Sequence, residues 1–175
     1  MTTGLPAIRG RVAYIFDEPN FDIDQIVGIE NIKLQDLDAL TKVVMKRFDP
    51  DFVSQVRAGD ILVGGHNFGY GHPHIPPMHI MRHLGIKAVV AESFAPTYWS
   101  IEIAAGFPQI PCPGILDLAQ RWDELEIDFA AVCVRNLATG ASAAMVPVAQ
   151  RDLDVLQAGG IVSFLRQQQQ PKDQA

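Results

Sequence analysis

Residues 64–77 read Gly64-Gly65-His66-Asn67-Phe68-Gly69-Tyr70-Gly71-His72-Pro73-His74-Ile75-Pro76-Pro77, and the rest of the chain is organised around this stretch. An apolar segment at residues 61–63 runs into it, and an amphipathic segment at residues 78–84 leaves it. All five histidines lie between residues 66 and 83. Glycine lets the backbone take positive φ and approach a ligand closely, and the start of a helix offers unpaired N–H groups. A strand, a glycine-rich turn and a helix in this order predict a functional site.

The composition is that of a single globular domain. The chain has 175 residues, with 48% hydrophobic and 19% charged side chains, and is long enough to bury a core. Its formal charge of -6 and its pI of about 5.2 argue against binding to nucleic acid or to an anionic membrane, both of which require a basic face. No apolar run approaches the roughly 20 residues that span a bilayer, and the N-terminus lacks an apolar signal core. A cytoplasmic protein is therefore predicted.

The cysteine count bears on disulfides and on clusters. The two cysteines, Cys112 and Cys133, can form at most one disulfide, and no secretory signal precedes them. Buried free thiols are the simplest expectation. Two thiolates do not by themselves hold a four-iron cluster, which usually takes more. If a cluster is involved, another chain has to carry it.

One folded unit is expected at residues 10–166, between a loose N-terminal end at 1–9 and a polar, disordered tail at 167–175. Alternating and β-branched runs predict strands, and apolar residues at helical spacing predict helices. The predicted strands are residues 10–16, 61–64, 86–91, 125–129 and 131–134. The predicted helices are residues 34–44, 78–84, 96–105, 116–122, 152–158 and 161–166. Strands and helices that mix without a regular βαβ rhythm indicate an α/β or α+β fold.

Two aspartates, Asp22 and Asp24, lie in residues 21–27, which we expect to be extended. Because side chains alternate along a strand, both carboxylates then lie on one side. A solvated strand face or a helix cap is one interpretation. A carboxylate pair that orients a neighbouring charged group is the other. The spacing alone favours the first.

The order of the segments resembles the small subunit of 3-isopropylmalate dehydratase, the swivel-domain component of the aconitase superfamily. Residues 22–26, Asp-Ile-Asp-Gln-Ile, are similar to the Asp-Thr-Asp-Gln-Ile of that family. The further matching segments are residues 10–16, 59–65, 67–71, 85–95, 135–140 and 156–161. The resemblance covers nearly the whole chain, in order.

This resemblance implies an α/β fold of the three-layer β/β/α swivel type. It also implies a site between this domain and an aconitase-like large subunit that carries a [4Fe-4S] cluster. Enzymes of this superfamily are hydro-lyases and isomerases that dehydrate and rehydrate hydroxy acids. Iron acts as a Lewis acid on the hydroxyl, and a side chain of the swivel domain removes the proton. The implied partners are therefore the large subunit and a small hydroxy acid, with no nucleic acid and no membrane.

The sequence departs from the family at the centre of this site. Where the family has Ser-Ser-Arg-Glu-His-Ala, residues 72–77 read His-Pro-His-Ile-Pro-Pro. His72 takes the position of the serine base, Pro73 that of the second serine, and His74 that of a substrate-binding arginine. A basic residue is also missing farther upstream, where Glu30 lies close to its place. Two lost arginine-like contacts predict a substrate other than isopropylmalate, because histidine lacks the bidentate fork of arginine.

Three residues are the candidate catalytic groups. His72 is expected to act as the general base, since an ordinary imidazole has a pKa of about 6.5. His74 is expected to bind a carboxylate or to polarise a carbonyl, and Asp24 is carried over from the second aspartate of the family motif. The candidate substrate-binding residues are Asn67, Gly69, Tyr70, Gly71, Pro73, Ser93 and Asp22. For Asn67 and Gly71, a role in setting the shape of the backbone is favoured over contact with substrate.

Two other functions remain open. Loss of the Ser-Ser-Arg triplet fits a non-catalytic binding or regulatory subunit on the same scaffold, in which His72 merely packs in its loop. His79 and His83 are four residues apart on a predicted helix, a spacing that metal ligands use. That spacing fits a histidine-cluster metal protein, but it more often marks a surface or core pair, and no acidic or cysteine ligand lies beside the cluster, so this function ranks last.

Overall fold

The computed structural model describes residues 5–169, which contain seven strands in one sheet. The strands are β1 Ile8–Phe16, β2 Ile61–Gly64, β3 Ala88–Ala91, β4 Gln109–Pro111, β5 Glu124–Asp128, β6 Cys133–Asn136 and β7 Ser142–Ala144. Their order across the sheet is β4-β3-β2-β1-β5-β6-β7. The pairs among β1 to β4 are parallel, whereas β5, β6 and β7 continue from β1 in antiparallel pairs. The long strand β1 therefore belongs to both halves of the sheet.

In the chain, each of the strands β1 to β4 is followed by at least one helix, and two more helices come after β7. Within the described residues they are α1 Leu37–Val43, α2 Phe52–Gln55, α3 Ile75–His83, α4 Pro96–Ala104, α5 Ile115–Leu118, α6 Gln150–Gln157 and α7 Ile161–Gln169. Two short 3-10 helices precede α1, at Ile23–Ile26 and Ile29–Asn31. Asp36 begins α1 by accepting a hydrogen bond from the backbone N–H of Ala39 at 2.8 Å, as N-cap aspartates commonly do.

Both faces of the parallel half are buried, each against a different layer. Side chains alternate along these strands, so neighbouring residues enter opposite cores. The core beneath the helices includes Ala13, Leu62, Val89, Leu40, Met78, Met81 and Tyr98. The core between the two halves of the sheet includes Val12, Ile61, Val63, Val90, Leu125, Ile127 and Val134. The fold therefore has a helical layer and two strand layers, which confirms the predicted α/β class.

Element boundaries differ from the prediction at both ends of the domain. Strand β1 begins at Ile8, two residues earlier than predicted, and helix α7 continues to Gln169, three residues into the predicted tail. Glutamine is a good helix former, so the start of the glutamine run extends the helix. Residues 1–4 of the predicted loose end and 170–175 of the predicted tail lie outside the described residues. Over residues 5–169, no helix combines the length and the apolarity that crossing a membrane requires.

The prediction of an extended segment at residues 21–27 is wrong. Asp22 is the N-cap of the 3-10 helix Ile23–Ile26, and its Oδ1 accepts a hydrogen bond from the backbone N–H of Asp24 at 2.9 Å. Aspartate side chains offer the backbone such local partners, and these compete with strand pairing. Helix α3 begins at Ile75, three residues earlier than predicted, because Pro76 and Pro77 fit the first turn of a helix.

Candidate active site

Three loops meet at the carboxyl edge of the parallel strands, where open α/β sheets usually bind ligands. They follow β1, β2 and β3, and backbone hydrogen bonds tie them together. The N–H of Asn20 donates to the carbonyl of His66 at 2.8 Å, and the N–H of Phe68 donates to the carbonyl of Ser93 at 3.0 Å. The N–H of Gly69 donates to the carbonyl of Phe21 at 2.9 Å. The histidine-containing loop after β2 therefore lies between the other two.

Asn67 and Ser93 hold the start of this loop. The Asn67 backbone is left-handed, with φ of 55°, and its side-chain amide donates to Oδ1 of Asn20 at 2.7 Å. The hydroxyl of Ser93 accepts from the backbone N–H of Asn67 at 2.8 Å. Both side chains thus have structural contacts, and their substrate-binding roles stay predictions.

Gly69 lies where the loop passes over helix α4. Its φ is 83°, and a Cβ built on it would lie 2.2 Å from Cγ of the fully buried Tyr98. Only glycine fits both the left-handed backbone and this close approach. Gly71, with φ of 96°, lies beside Asp22, whose Oδ2 is 3.3 Å from the position of a Cβ on residue 71.

The structure brings Asp24 and His74 into contact, although they are 50 residues apart in the chain. Oδ2 of Asp24 is 2.6 Å from Nδ1 of His74, and Oδ1 of Asp24 accepts the backbone N–H of His74 at 3.2 Å. Asp24 is only 5% exposed, while the side chain of His74 is 39% exposed. A buried carboxylate thus holds a histidine that still reaches solvent. Of the two interpretations of these aspartates, the contact with His74 fits an orienting role for Asp24. Asp22 is instead the N-cap of the 3-10 helix that contains Asp24.

His72 lies close to this pair but is held differently. Its ring centroid is 5.5 Å from that of His74, and its side chain is exposed. Within residues 5–169 its imidazole has no hydrogen-bond partner. The three candidate catalytic residues are therefore neighbours, and only two of them are bonded to each other.

A groove of about 750 Å³ opens beside His74. Its lining residues are Ile32, Lys33, Gln35, Pro73, His74, Ile75, Pro76 and His79. Lys33 is the one lysine or arginine among them, so it supplies the positive charge that an acidic ligand would meet. Ile75 is 71% exposed, which gives the groove an apolar rim. Tyr70, on the preceding turn, is also exposed and lies outside this lining.

Glu30, which lies near the place of a family arginine, is paired rather than free. Its two carboxylate oxygens accept from one guanidinium nitrogen of Arg47 at 2.8 and 3.0 Å. A hydrogen bond from its own backbone and the charge of Arg47 lower the pKa of Glu30. The negative charge of Glu30 is therefore paired with the positive charge of Arg47, so the loop before Lys33 carries no unpaired negative charge from Glu30.

The histidine-cluster interpretation gains no support from the described part of the chain. His79 and His83 are exposed on α3, but no group of three or more histidine, cysteine, aspartate or glutamate side chains within residues 5–169 could hold a metal ion. Both cysteines are free thiols, as expected, and Cys112 is buried as expected whereas Cys133 is only half-buried. Burial raises the pKa of the Cys112 thiol to about 11.

Two features of the site were missed from the sequence. Lys33 follows a turn with no motif around it, and nothing marked it as facing the loop that carries His74. The bond between Asp24 and His74 joins two segments whose pairing depends on tertiary structure. A weak signal for that bond existed, because both residues fall at positions that the resemblance assigns to one site.

Curated proteins resemble the chain along almost its whole length. It is 35% identical over 161 residues to 3-isopropylmalate dehydratase small subunit 1 of Methanopyrus kandleri, across 92% of this chain and 94% of that protein. It is 38% identical over 156 residues to the methanogen homoaconitase small subunit of Methanothermobacter thermautotrophicus, across 89% of each chain. No family model matches the chain.

A solved structure shares the fold. The chain superposes on the crystal structure of 3-isopropylmalate dehydratase from Methanocaldococcus jannaschii with a TM-score of 0.81 and 27% sequence identity. The superposition covers 93% of this chain and 95% of that chain. The predicted swivel-domain fold class is confirmed.

Proposed function

Because the chain belongs to the family of 3-isopropylmalate dehydratase small subunits, we propose that it works with a large subunit as a hydro-lyase that dehydrates or isomerises a hydroxy acid. The small-subunit names of its relatives support a large-subunit partner. The site would lie where the two chains meet, since the loops after β1, β2 and β3 form an open edge and not an enclosed cavity. The exposed apolar side chains of Tyr70 and Ile75 on this edge support that location.

One observation carries the proposal. Asp24 and His74 are bonded to each other at the carboxyl edge of the parallel strands, and His74 borders a groove that also contains Lys33. An imidazole can move a proton near neutral pH, and a lysine can hold the carboxylate of a hydroxy acid. The groove therefore combines a proton-transfer group with an anion-binding group, as the elimination of water from an acid requires.

Isopropylmalate remains a candidate substrate. The prediction of a different substrate is not supported by the relatives, which include small subunits named for isopropylmalate and for homoaconitase. The lining of the groove suits both kinds of acid. Ile32 and Ile75 can contact an apolar branch, whereas Lys33 can pair with an additional carboxylate. The substrate class we propose is a small hydroxy acid with at least one carboxylate directed at Lys33.

We place the implied iron–sulfur cluster on the large subunit. Of the two cysteines, Cys112 is buried and Cys133 is half-buried in strand β6. Four-iron clusters usually require more thiolates than this chain has. The described residues therefore do not fit the cluster, and the chemistry assigned to this chain is limited to binding the acid and moving a proton.

The test is reconstitution with the large subunit. The two chains would be co-expressed and purified without oxygen, and hydroxy acids including isopropylmalate would be screened for the absorbance of the alkene product. We expect turnover that requires both chains. A stable complex that leaves every acid unchanged would instead favour the non-catalytic subunit suggested by the missing Ser-Ser-Arg triplet. Failure of the chains to associate would refute the proposal.

A further inference from the structure

The bond between Asp24 and His74 uses both oxygens of one carboxylate. Oδ1 faces the backbone N–H of His74, and Oδ2 faces Nδ1 of its ring. Asp24 itself is fixed, because its own N–H donates to Oδ1 of Asp22. Two bonds from one buried group therefore determine both the backbone position and the ring orientation of His74.

The chemistry of these groups decides which ring nitrogen carries the proton. An ionised carboxylate only accepts hydrogen bonds, so Nδ1 of His74 must donate. In the neutral imidazole the other nitrogen, Nε2, then has a free lone pair and can accept a proton. Within residues 5–169, Nε2 has no hydrogen-bond partner, and the His74 side chain borders the groove with 39% of its surface exposed.

His72 lacks this positioning. Its ring is exposed, and among the described residues no group fixes its tautomer or its orientation. A general base has to present the correct nitrogen within hydrogen-bond reach of the proton that it removes. The sequence comparison predicts that role for His72 from its place in the motif. The contacts favour His74.

We propose that His74, held by Asp24 as the Nδ1–H tautomer, takes the substrate proton on Nε2, and that Asp24 is a positioning residue. The inference rests on the proposed hydro-lyase function and deepens it. In the elimination, the C–H bond breaks and its proton forms an N–H bond at Nε2. The electron pair of the C–H bond forms the carbon–carbon double bond, and the hydroxyl leaves with the pair of its C–O bond and takes up a proton from solvent to become water. The reverse steps hydrate the alkene.

The geometry makes a specific prediction for Asp24→Asn, which is nearly isosteric. The backbone N–H of His74 can only donate, so the amide oxygen of the asparagine must face it. The amide NH₂ then faces Nδ1 and donates to it, which moves the ring proton to Nε2. The variant would keep the shape of the site and present a nitrogen that cannot accept a proton. An aspartate-to-asparagine change beside a catalytic histidine is known to act through the wrong tautomer.

The tautomer can be measured on the isolated chain. Two-bond proton–nitrogen correlation spectra of the ¹⁵N-labelled protein at about pH 8, where an ordinary imidazole is neutral, distinguish Nδ1–H from Nε2–H. The His74 signals are assigned by their loss in His74→Gln. We expect Nδ1–H in the wild type, Nε2–H in Asp24→Asn, and no change in Asp36→Asn. That control replaces another capping aspartate, at the start of α1, with an equally good cap.

The reconstituted complex provides the second measurement. Asp24→Asn and His74→Gln are each expected to lower kcat by about 100-fold or more with a smaller change in KM, while His72→Gln costs less than about tenfold. Equal losses at His72 and His74 would return the base role to His72. A wild-type spectrum with His74 in the Nε2–H form would overturn the positioning by Asp24, even if Asp24→Asn fails to fold. An inactive wild-type complex beside the expected spectra would refute the proposed function and the proton transfer, and would leave only the tautomer assignment.

Discussion

Replacing Gly69 with alanine tests whether glycine is required at this position by packing in the core or by contact with substrate. A Cβ at residue 69 would lie 2.2, 2.3 and 2.6 Å from the Cγ, Cδ1 and Cβ atoms of Tyr98, whereas ordinary contacts begin at 3.4 Å. The Tyr98 ring has no room to retreat, since it is fully buried. Its centroid is 5.6 Å from that of Phe68 and 6.1 Å from that of Phe94. The added methyl group therefore overpacks a core that cannot yield.

The expected decrease in the free energy of unfolding has two parts. A left-handed backbone costs alanine about 1–2 kcal/mol, part of which is recovered because alanine restricts the unfolded chain. Overpacking a well-packed core adds about 1–3 kcal/mol. Gly69→Ala should therefore lower the free energy of unfolding by about 3 kcal/mol. For a domain of this size each kcal/mol lowers Tm by about 2–4 °C, so the expected fall is about 6–12 °C.

Gly140→Ala is the matched control. Gly140 has φ of 75°, close to the 83° of Gly69, and no atom lies within 4 Å of its added Cβ. Only the backbone part of the cost applies, so its loss should be about 1 kcal/mol. Urea unfolding and thermal melts of both variants give the difference directly. Equal losses would refute the argument, because they would mean that the Tyr98 ring yields to the methyl group. Unchanged stability with a raised KM would make Gly69 a substrate contact.

Three further predictions concern the groove, a buried ion pair and the thiols. Lys33→Gln is expected to raise KM about tenfold or more with little change in kcat, measured by steady-state kinetics, because it removes a charge-assisted contact to the acid. Burial raises the pKa of Glu102, and the charge of Arg82 only partly offsets that increase. The contribution of Glu102 to the free energy of unfolding is therefore favourable at pH values below its unfolded pKa of 4.5, and it is lost as the pH rises through the folded pKa. Arg82→Met should therefore cost about 3 kcal/mol at about pH 7.5 and less near about pH 5 in urea unfolding, and a pH-independent loss would contradict this. Cys112, buried and with a pKa of about 11, should resist a thiol reagent that modifies the half-buried Cys133, so that one thiol titrates in the folded chain and two after unfolding.

The sequence predicted some of the buried strands well and missed others, since β6 begins two residues later than the predicted 131–134 and β4 was not among the predicted strands. Residues 61–64 form β2 with the predicted bounds, since a short apolar run beside glycines leaves few alternatives. Residues 21–27 alternate just as clearly, yet they form a turn. There the deciding interaction is a hydrogen bond from the Asp22 side chain to the backbone two residues on, and periodicity does not reveal it.

The sequence could indicate that the candidate catalytic residues lie together, but it could not indicate their contacts. The resemblance to the family brought Asp24, His72 and His74 together as site residues, and the structure places all three at one edge. It could not say which of the two histidines meets the carboxylate. That depends on the path of the loop between Gly69 and Ile75, which is fixed by left-handed glycines and by packing on Tyr98. Lys33 was missed because its position beside the groove depends on where helix α3 begins, far along the chain.

Histidine at residue 74, where the resemblance implies an arginine, changes the chemistry that this position can perform. The resemblance implies an arginine here, and a buried carboxylate such as Asp24 would hold its guanidinium as a fixed cation. Histidine on the same carboxylate also places an N–H on Oδ2, but unlike a guanidinium its ring has a second nitrogen that can accept a proton. In the proton transfer proposed for His74, the same carboxylate would hold a base at residue 74 where it would otherwise hold a cation. Because the family serine is absent at residue 72, the proposed hydro-lyase needs another base, and the contact with Asp24 supports His74 in that role.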